Sequence, residues 1–199
     1  MKLFHALAAL VLALAPVLAA AQPLRLSPED QTAIARVEDY LNGITTMQAR
    51  FVQVTGMGAM AEGDFYLSRP GRMRIEYDRE PYLYVADGFW LTYYDKELGQ
   101  RSDVMLGSTI ADFITRENIR LSGDVTVTGV RQDEHSIEID LVQTEDPGQG
   151  TLTLVFSRNP LQLRRWVVLD AQGQRTEVAL SEIRTGMSLD RRLFVVPRR

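Results

Sequence analysis

The chain reads as a mainly β protein of the α+β kind: one large, strongly curved antiparallel sheet with an N-terminal helix and a short middle helix on one face. Three observations predict this. One amphipathic helical segment opens the mature chain, and short strand-like runs then follow almost to its end. Turn signals separate the runs: Arg69-Pro70-Gly71, Asp87-Gly88, Asp146-Pro147-Gly148, Asn159-Pro160 and Ala171-Gln172-Gly173. The crossover helices that parallel pairing needs are missing between them, so the strands form an antiparallel meander.

The helix is the first element. Ser27 is a good N-cap, Pro28 suits the first turn, and Glu29 and Asp30 suit the positive end of the dipole. Ala33, Ile34, Val37, Tyr40, Leu41 and Ile44 recur at helical spacing, and Asn42-Gly43 is a natural stop. Strands are predicted at Gln48–Thr55, Glu62–Ser68, Arg72–Asp78, Tyr82–Ala86, Trp90–Tyr94 and Gln100–Met105. A short helix capped by Ser108, with Ile110, Phe113 and Ile114 as its apolar residues, interrupts them. The strands resume at Ile119–Val130, Ser136–Gln143, Thr151–Ser157, Gln162–Leu169 and Arg175–Ile183. Helices on one face of a curved sheet make a lid over a concave surface.

Some strands wet one face only: Ile137, Ile139 and Leu141 alternate with Glu138 and Asp140. Phe89–Tyr94 and Leu161–Leu169 are apolar on both sides, which fits either a second packing layer or a lined pocket. Met57 and Met60 sit with Gly56 and Gly58 in a loop, where flexible apolar side chains suit the rim of a site for varied greasy ligands.

Residues 1–21 read as a cleaved signal peptide. Lys2 and His5 form a basic start, Ala6–Leu18 is an apolar run, and Ala19-Ala20-Ala21 supplies small residues before the cut at Gln22. Residues 22–199 then form a single exported domain of sizeable core, with 45% of the whole chain apolar. No cysteine occurs, and Gln22 stands where a lipid-bearing cysteine would be needed, so this protein is not itself lipid-anchored. The leader holds one of the 22 basic residues and none of the 26 acidic ones, so the mature chain is more acidic than the formal net charge of −4. No nucleic-acid surface is expected.

Catalytic equipment is almost absent. The mature chain keeps only His135, in a polar turn, and has no Gly-x-Ser-x-Gly elbow, calcium loop or Gly-rich phosphate cradle. Glu76 and Asp78 share a strand face but read as solvated charges. No enzyme activity, cofactor or metal is expected. An exported hydrolase would have to be built around His135.

The ordered pieces Phe51-x-Gln53, Gly63-x-Phe65, Ser68-Arg69-Pro70-Gly71-Arg72-Met73-Arg74-Ile75-Glu76-Tyr77, Asp87-Gly88, the aromatic run to Tyr94-Asp95, and Leu98-x-Gln100 carry a resemblance. In them the chain resembles the LolA-type outer-membrane lipoprotein carriers of Gram-negative bacteria. The resemblance is strong over the first half of the mature chain and is limited to alternating strands in the second. It implies an open, incomplete β-barrel capped by helices, with an apolar concave face for acyl chains. It also implies a periplasmic monomer that takes acylated lipoproteins from an inner-membrane ABC-type lipoprotein-releasing complex. Delivery would be to the outer membrane, with or without a receptor there.

In that family the arginine before proline, here Arg69, holds the lid shut until cargo arrives. Arg69 and Pro70 are therefore the expected latch and turn. Phe51, Met73, Ile75, Tyr77, Trp90, Leu91 and Tyr94 are the cavity candidates, although alternation alone leaves open which strand faces are concave. The chain ends soon after Val195-Val196-Pro197, so the C-terminal extra strand of some members is not expected. A periplasmic lipid- or lipoprotein-sensing regulatory module on the same fold is the alternative.

Overall fold

The computed structural model describes residues 25–196; the expected signal peptide lies outside the described residues. Helix α1 (Pro28–Gly43) starts where the sequence places it. Ser27 Oγ accepts from the Asp30 amide at 3.1 Å, and the Asp30 carboxylate accepts from the Ser27 amide at 3.2 Å, forming a reciprocal capping box. Ser27→Ala should cost about 1 kcal/mol, read as a melting temperature lower by roughly 2–4 °C. Ala33, Val37 and Leu41 form the buried stripe of α1.

The strands are β1 (Thr46–Thr55), β2 (Met60–Ser68), β3 (Arg72–Tyr77), β4 (Tyr82–Asp87), β5 (Trp90–Asp95) and β6 (Gln100–Met105). After helix α2 (Ile110–Thr115) come β7 (Val125–Gln132), β8 (Ser136–Gln143), β9 (Gly150–Arg158), β10 (Leu161–Asp170) and β11 (Arg175–Thr185). They form one 11-stranded sheet in the order β6-β5-β4-β3-β2-β1-β11-β10-β9-β8-β7. Every pairing is antiparallel. The fold is thus two meanders: the chain runs outward from β1 to one edge, crosses by way of α2 to the other, and returns until β11 lies beside β1.

The sheet is open but strongly bent. Phe65 of β2 and Trp166 of β10 are separated by β1 and β11, yet their ring centroids are 6.0 Å apart. In a flat sheet those strands would lie roughly 14 Å apart, at about 4.8 Å per step. Bulges in the register at Gln48/Arg50, Leu163/Arg165 and Val127/Gly129 provide the bends.

The concave face holds the main core. Met47, Ala49 and Phe51 of β1, Phe65 and Leu67 of β2, Met73 of β3, and Ile137, Ile139 and Leu141 of β8 all belong to it. Ile137 and Ile139 are fully buried, as their alternation with Glu138 and Asp140 predicts. On the opposite face Arg131 pairs with Glu138 and Asp140, and Arg165 with Glu138 and Glu177.

A second, smaller cluster lies on the other face of β2–β5. There Leu83 and Val85 pack under Leu193 and Phe194 of the C-terminal segment, and Arg74 Nη1 donates to the Leu193 carbonyl at 3.0 Å. This second layer explains why β4 and β5 are apolar on both sides.

Two local expectations are corrected. The strand expected from Ile119 begins only at Val125. Ile119 and Leu121 are buried against α1 instead, with their backbone groups satisfied by helix side chains. Asn42 brackets Ile119, accepting from its amide at 2.7 Å and donating to its carbonyl at 3.0 Å, and Glu38 accepts from the Leu121 amide at 2.7 Å. Ser108 does not cap α2: its hydroxyl turns back to the Met105 carbonyl at 2.8 Å, and Thr109 takes the N-cap position.

Candidate functional site: an apolar hollow behind Arg69

The turn between β2 and β3 reaches the ends of both helices. Arg69 Nε donates to the Ile114 carbonyl at 2.9 Å, and Arg69 Nη1 donates to the carbonyls of Ile44, at 2.9 Å, and Leu41. These are terminal carbonyls of α2 and α1, at the negative end of each helix dipole; the Leu41 carbonyl also accepts from the Ile44 amide at 3.3 Å. Neither helix has a basic residue in its last turn, so Arg69 supplies the missing cation to both.

The backbone adds two bonds, Arg69 N to Thr45 O and Gly71 N to Thr115 O, each 2.8 Å. Gly71 has φ +79°, and a Cβ there would stand 2.8 Å from the Gly88 Cα, so only glycine lets the two turns nest. Burial pushes the Arg69 guanidinium down to about 10, which leaves it charged at neutral pH. Its hydrogen-bond partners are all carbonyls, so desolvation of an uncompensated charge offsets part of the bonding.

Behind Arg69, Leu41, Ile44, Met47, Phe65 and Trp166 enclose an apolar cavity of about 30 Å³, room for roughly one water. A groove of about 420 Å³ lies beside it, between α2 and the ends of β7–β10, within the size range of small-ligand sites. Val125, Leu141, Leu152 and Val168 form its apolar wall, and Asp112, Arg116 and Asp124 stand at its polar side. Phe113 borders both spaces.

Arg116 holds Phe113 in place. Its guanidinium lies 5.4 Å from the ring centroid and pairs with Asp112 and Asp124, both at 2.7 Å. Phe113→Ala should join groove and cavity. Titration with an apolar fluorescent dye should then show higher capacity or several-fold tighter binding, and an unchanged isotherm would show that Phe113 is no partition.

No group of three or more His, Cys, Asp or Glu capable of holding a metal occurs among the described residues. His135 is exposed in the β7–β8 turn, where its backbone amide, not its ring, meets Asp133 at 2.7 Å. No described helix is long and apolar enough to cross a membrane.

Residues 42–197 match the family model described as "Outer membrane lipoprotein carrier protein LolA". The chain belongs to the LolA family. It is 30% identical over 179 residues to the outer-membrane lipoprotein carrier protein of Methylococcus capsulatus, covering 84% of this chain and 85% of that one. It is 28% identical over 179 residues to the protein of the same name from Pseudomonas paraeruginosa, covering 83% and 84%. In fold it is similar to an uncharacterized conserved protein from Thermus thermophilus, with TM-score 0.53, 16% identity, and coverage of 85% and 95%.

Within this LolA-family sheet the expected site residues divide between the two faces. Phe51, Met73, Ile75, Tyr77 and Leu91 lie in or against the concave core. Trp90 and Tyr94 do not. Tyr94 pairs with Leu83 and packs in the cluster beneath the C-terminal segment, and Trp90 shares that face by alternation. Arg69 bridges the ends of the two helices, while Pro70 is exposed at the turn. Met57 is 92% exposed in the β1–β2 turn, and Met60 is exposed at the start of β2. Of the residues around the cavity only Arg69 was among the expected site residues; Leu41, Ile44, Met47, Phe65, Phe113 and Trp166 were not, and none of Phe51, Met73, Ile75, Tyr77, Trp90, Leu91 and Tyr94 lines it. The two-sided run around Trp166 was a signal for that residue; Phe113, a lone phenylalanine in a six-residue helix, gave none.

Proposed function

We propose that this chain is a periplasmic carrier, without covalent chemistry, that buries lipoprotein acyl chains between the concave face and its two helices and moves them from inner to outer membrane. The observation that carries the reading is Arg69, which ties one hairpin to the C-termini of both helices across an apolar hollow. In the closed form the latch cavity is nearly filled by the protein's own side chains, whereas the groove beside α2 is open. Acyl chains enter as α2 swings away and Phe113 stops dividing the two spaces. Each methylene transferred from water contributes about 0.8 kcal/mol, and breaking the latch offsets part of that gain. The offset keeps loading and unloading close to balance.

The partners implied are acylated lipoproteins, an inner-membrane ABC-type releasing complex as donor, and the outer membrane, with or without a receptor, as acceptor. The test is a titration with an apolar fluorescent probe followed by competition with a synthetic lipopeptide. Displacement supports the reading. A protein that binds the probe but ignores the lipopeptide, or binds neither, is no lipoprotein carrier.

A further inference from the structure

The concave face extends past the helices. These dock on β10 and at the start of β3, and beyond them the sheet presents tyrosines. Register pairs Ile75 of the helix-side core with Tyr84, and Tyr84 with Tyr93, so these residues share the concave side. The rings form a continuous chain: Phe51–Tyr77 at 5.2 Å, Tyr77–Tyr84 at 6.4 Å, Tyr84–Tyr93 at 5.3 Å and Tyr82–Tyr93 at 5.7 Å between centroids. Tyr82 is exposed, and Tyr84 and Tyr93 are half-buried. The Tyr77 hydroxyl donates to Gln53 Oε1 at 2.8 Å, but the hydroxyls of Tyr82, Tyr84 and Tyr93 have no hydrogen-bond partner among the described residues. Alongside runs β6, exposed along its whole length and paired on one side only, to β5.

The geometry points to a second subsite on this shelf, which binds the extended polypeptide segment adjoining the acylated end of the cargo. The inference rests on the carrier reading above. Three features favour a peptide over a further stretch of hydrocarbon. Unpaired hydroxyls covered by an acyl chain would be desolvated without compensation, whereas peptide amides both donate to and accept from them. Tyrosine offers rigid contact area at low entropic cost. The unpaired side of β6 presents backbone groups to which an extended chain adds as a strand. The shelf is also continuous with the hollow: Phe65, which lines the hollow, pairs across β2–β3 with Ile75, and Ile75 pairs across β3–β4 with Tyr84. A chain anchored by its lipid in the hollow therefore leaves along the tyrosines.

The test compares three ligands: an apolar fluorescent probe, a diacylglycerol, and a lipopeptide with the same acyl chains and a ten-residue polar linker. The triple variant Tyr82→Phe, Tyr84→Phe and Tyr93→Phe keeps the rings and removes the hydroxyls; Tyr93→Ala removes a ring. Both should weaken lipopeptide binding by about 10-fold, as expected for the loss of a few modest hydrogen bonds, and leave the probe and the diacylglycerol unchanged. Equal losses for all three ligands would make the shelf an acyl wall and overturn the inference, as would an unchanged lipopeptide affinity in both variants. If the wild type binds the probe and the diacylglycerol but gains nothing from the peptide, the shelf fails while acyl binding stands. If it binds none of the three, the carrier reading falls and takes the shelf with it.

Discussion

Arg69→Leu is expected to hold its cargo and release it slowly. The substitution removes three donor contacts to helix-terminal carbonyls, two on α1 and one on α2. Hydrogen bonds from a charged group contribute about 1.5–3 kcal/mol each before desolvation is counted. The guanidinium here is partly buried, and that desolvation, which lowers its pKa to about 10, offsets part of the bonding, so the net value of the contact is well below the sum. A net loss of about 2–3 kcal/mol would favour the open form by roughly 30- to 150-fold. Apparent affinity scales with the fraction of molecules able to bind, so an apolar probe should bind at least 10-fold more tightly to the variant. Release of lipoprotein from inner-membrane vesicles should persist, and handover downstream should slow.

Arg69→Lys separates charge from geometry. A lysine keeps the cation but lacks the planar fork that spans the two helices, so it should behave more like leucine than like arginine. Amide hydrogen exchange across α2 supplies a second readout, with faster exchange expected in both variants. Unchanged exchange and unchanged probe affinity together would remove the latch role.

Gly63→Ala should give the largest loss of stability. Gly63 faces Tyr77 across the β2–β3 pair and Phe51 across the β1–β2 pair. A Cβ at this position would stand 2.0 Å from the Glu76 carbonyl oxygen and 2.8 Å from Phe51 Cε1. The first contact is with backbone, so relief requires β2 and β3 to separate. The second displaces the ring that meets Tyr77 edge-on at 5.2 Å. Overpacking costs typically about 1–3 kcal/mol, and a backbone clash this close falls at the top of that range, about 3 kcal/mol, or roughly 6–12 °C in melting temperature for a chain of this size.

Gly43→Ala is the control. Nothing lies within 4 Å of a Cβ there, so the exchange should be neutral or slightly stabilising. The double variant Phe51→Leu with Gly63→Ala should recover only part of the loss, because the Glu76 carbonyl remains in the way. If Gly63→Ala melts with the wild type, the close approach of β2 to β3 is not a constraint.

Both predictions concern residues that stood out in the sequence for different reasons. Arg69 and Gly63 fell inside the ordered pieces of the family resemblance, and local physics supports each. An arginine at a tight turn can project toward distant carbonyls, and a glycine inside a strand marks close approach of another chain or ring. The face of each β5 residue was not legible in the same way. Trp90, Leu91 and Tyr94 belong to one aromatic run, and alternation says only that Leu91 lies opposite the other two. The side chosen for Tyr94 depends on Phe194, about a hundred residues later, folding back over Leu83 and Val85. The Ile119 segment failed as a strand for a similar reason. Its amide and carbonyl found Asn42 rather than a neighbouring strand, and no local signal reports a partner so distant in the chain.

Local chemistry was enough to define the cap of α1, most of the strand series, the turns and the antiparallel sense, because these depend on near neighbours: an Oγ three residues from an amide, an alternation of period two, a glycine at positive φ. Contacts between remote segments decided the rest: β11 beside β1, the bend that brings Phe65 to Trp166, the choice of concave face, and the meeting of Arg69 with two helix ends. Such contacts form only when desolvation and packing are satisfied over the whole chain at once, and period-two patterning is blind to which neighbour does the satisfying.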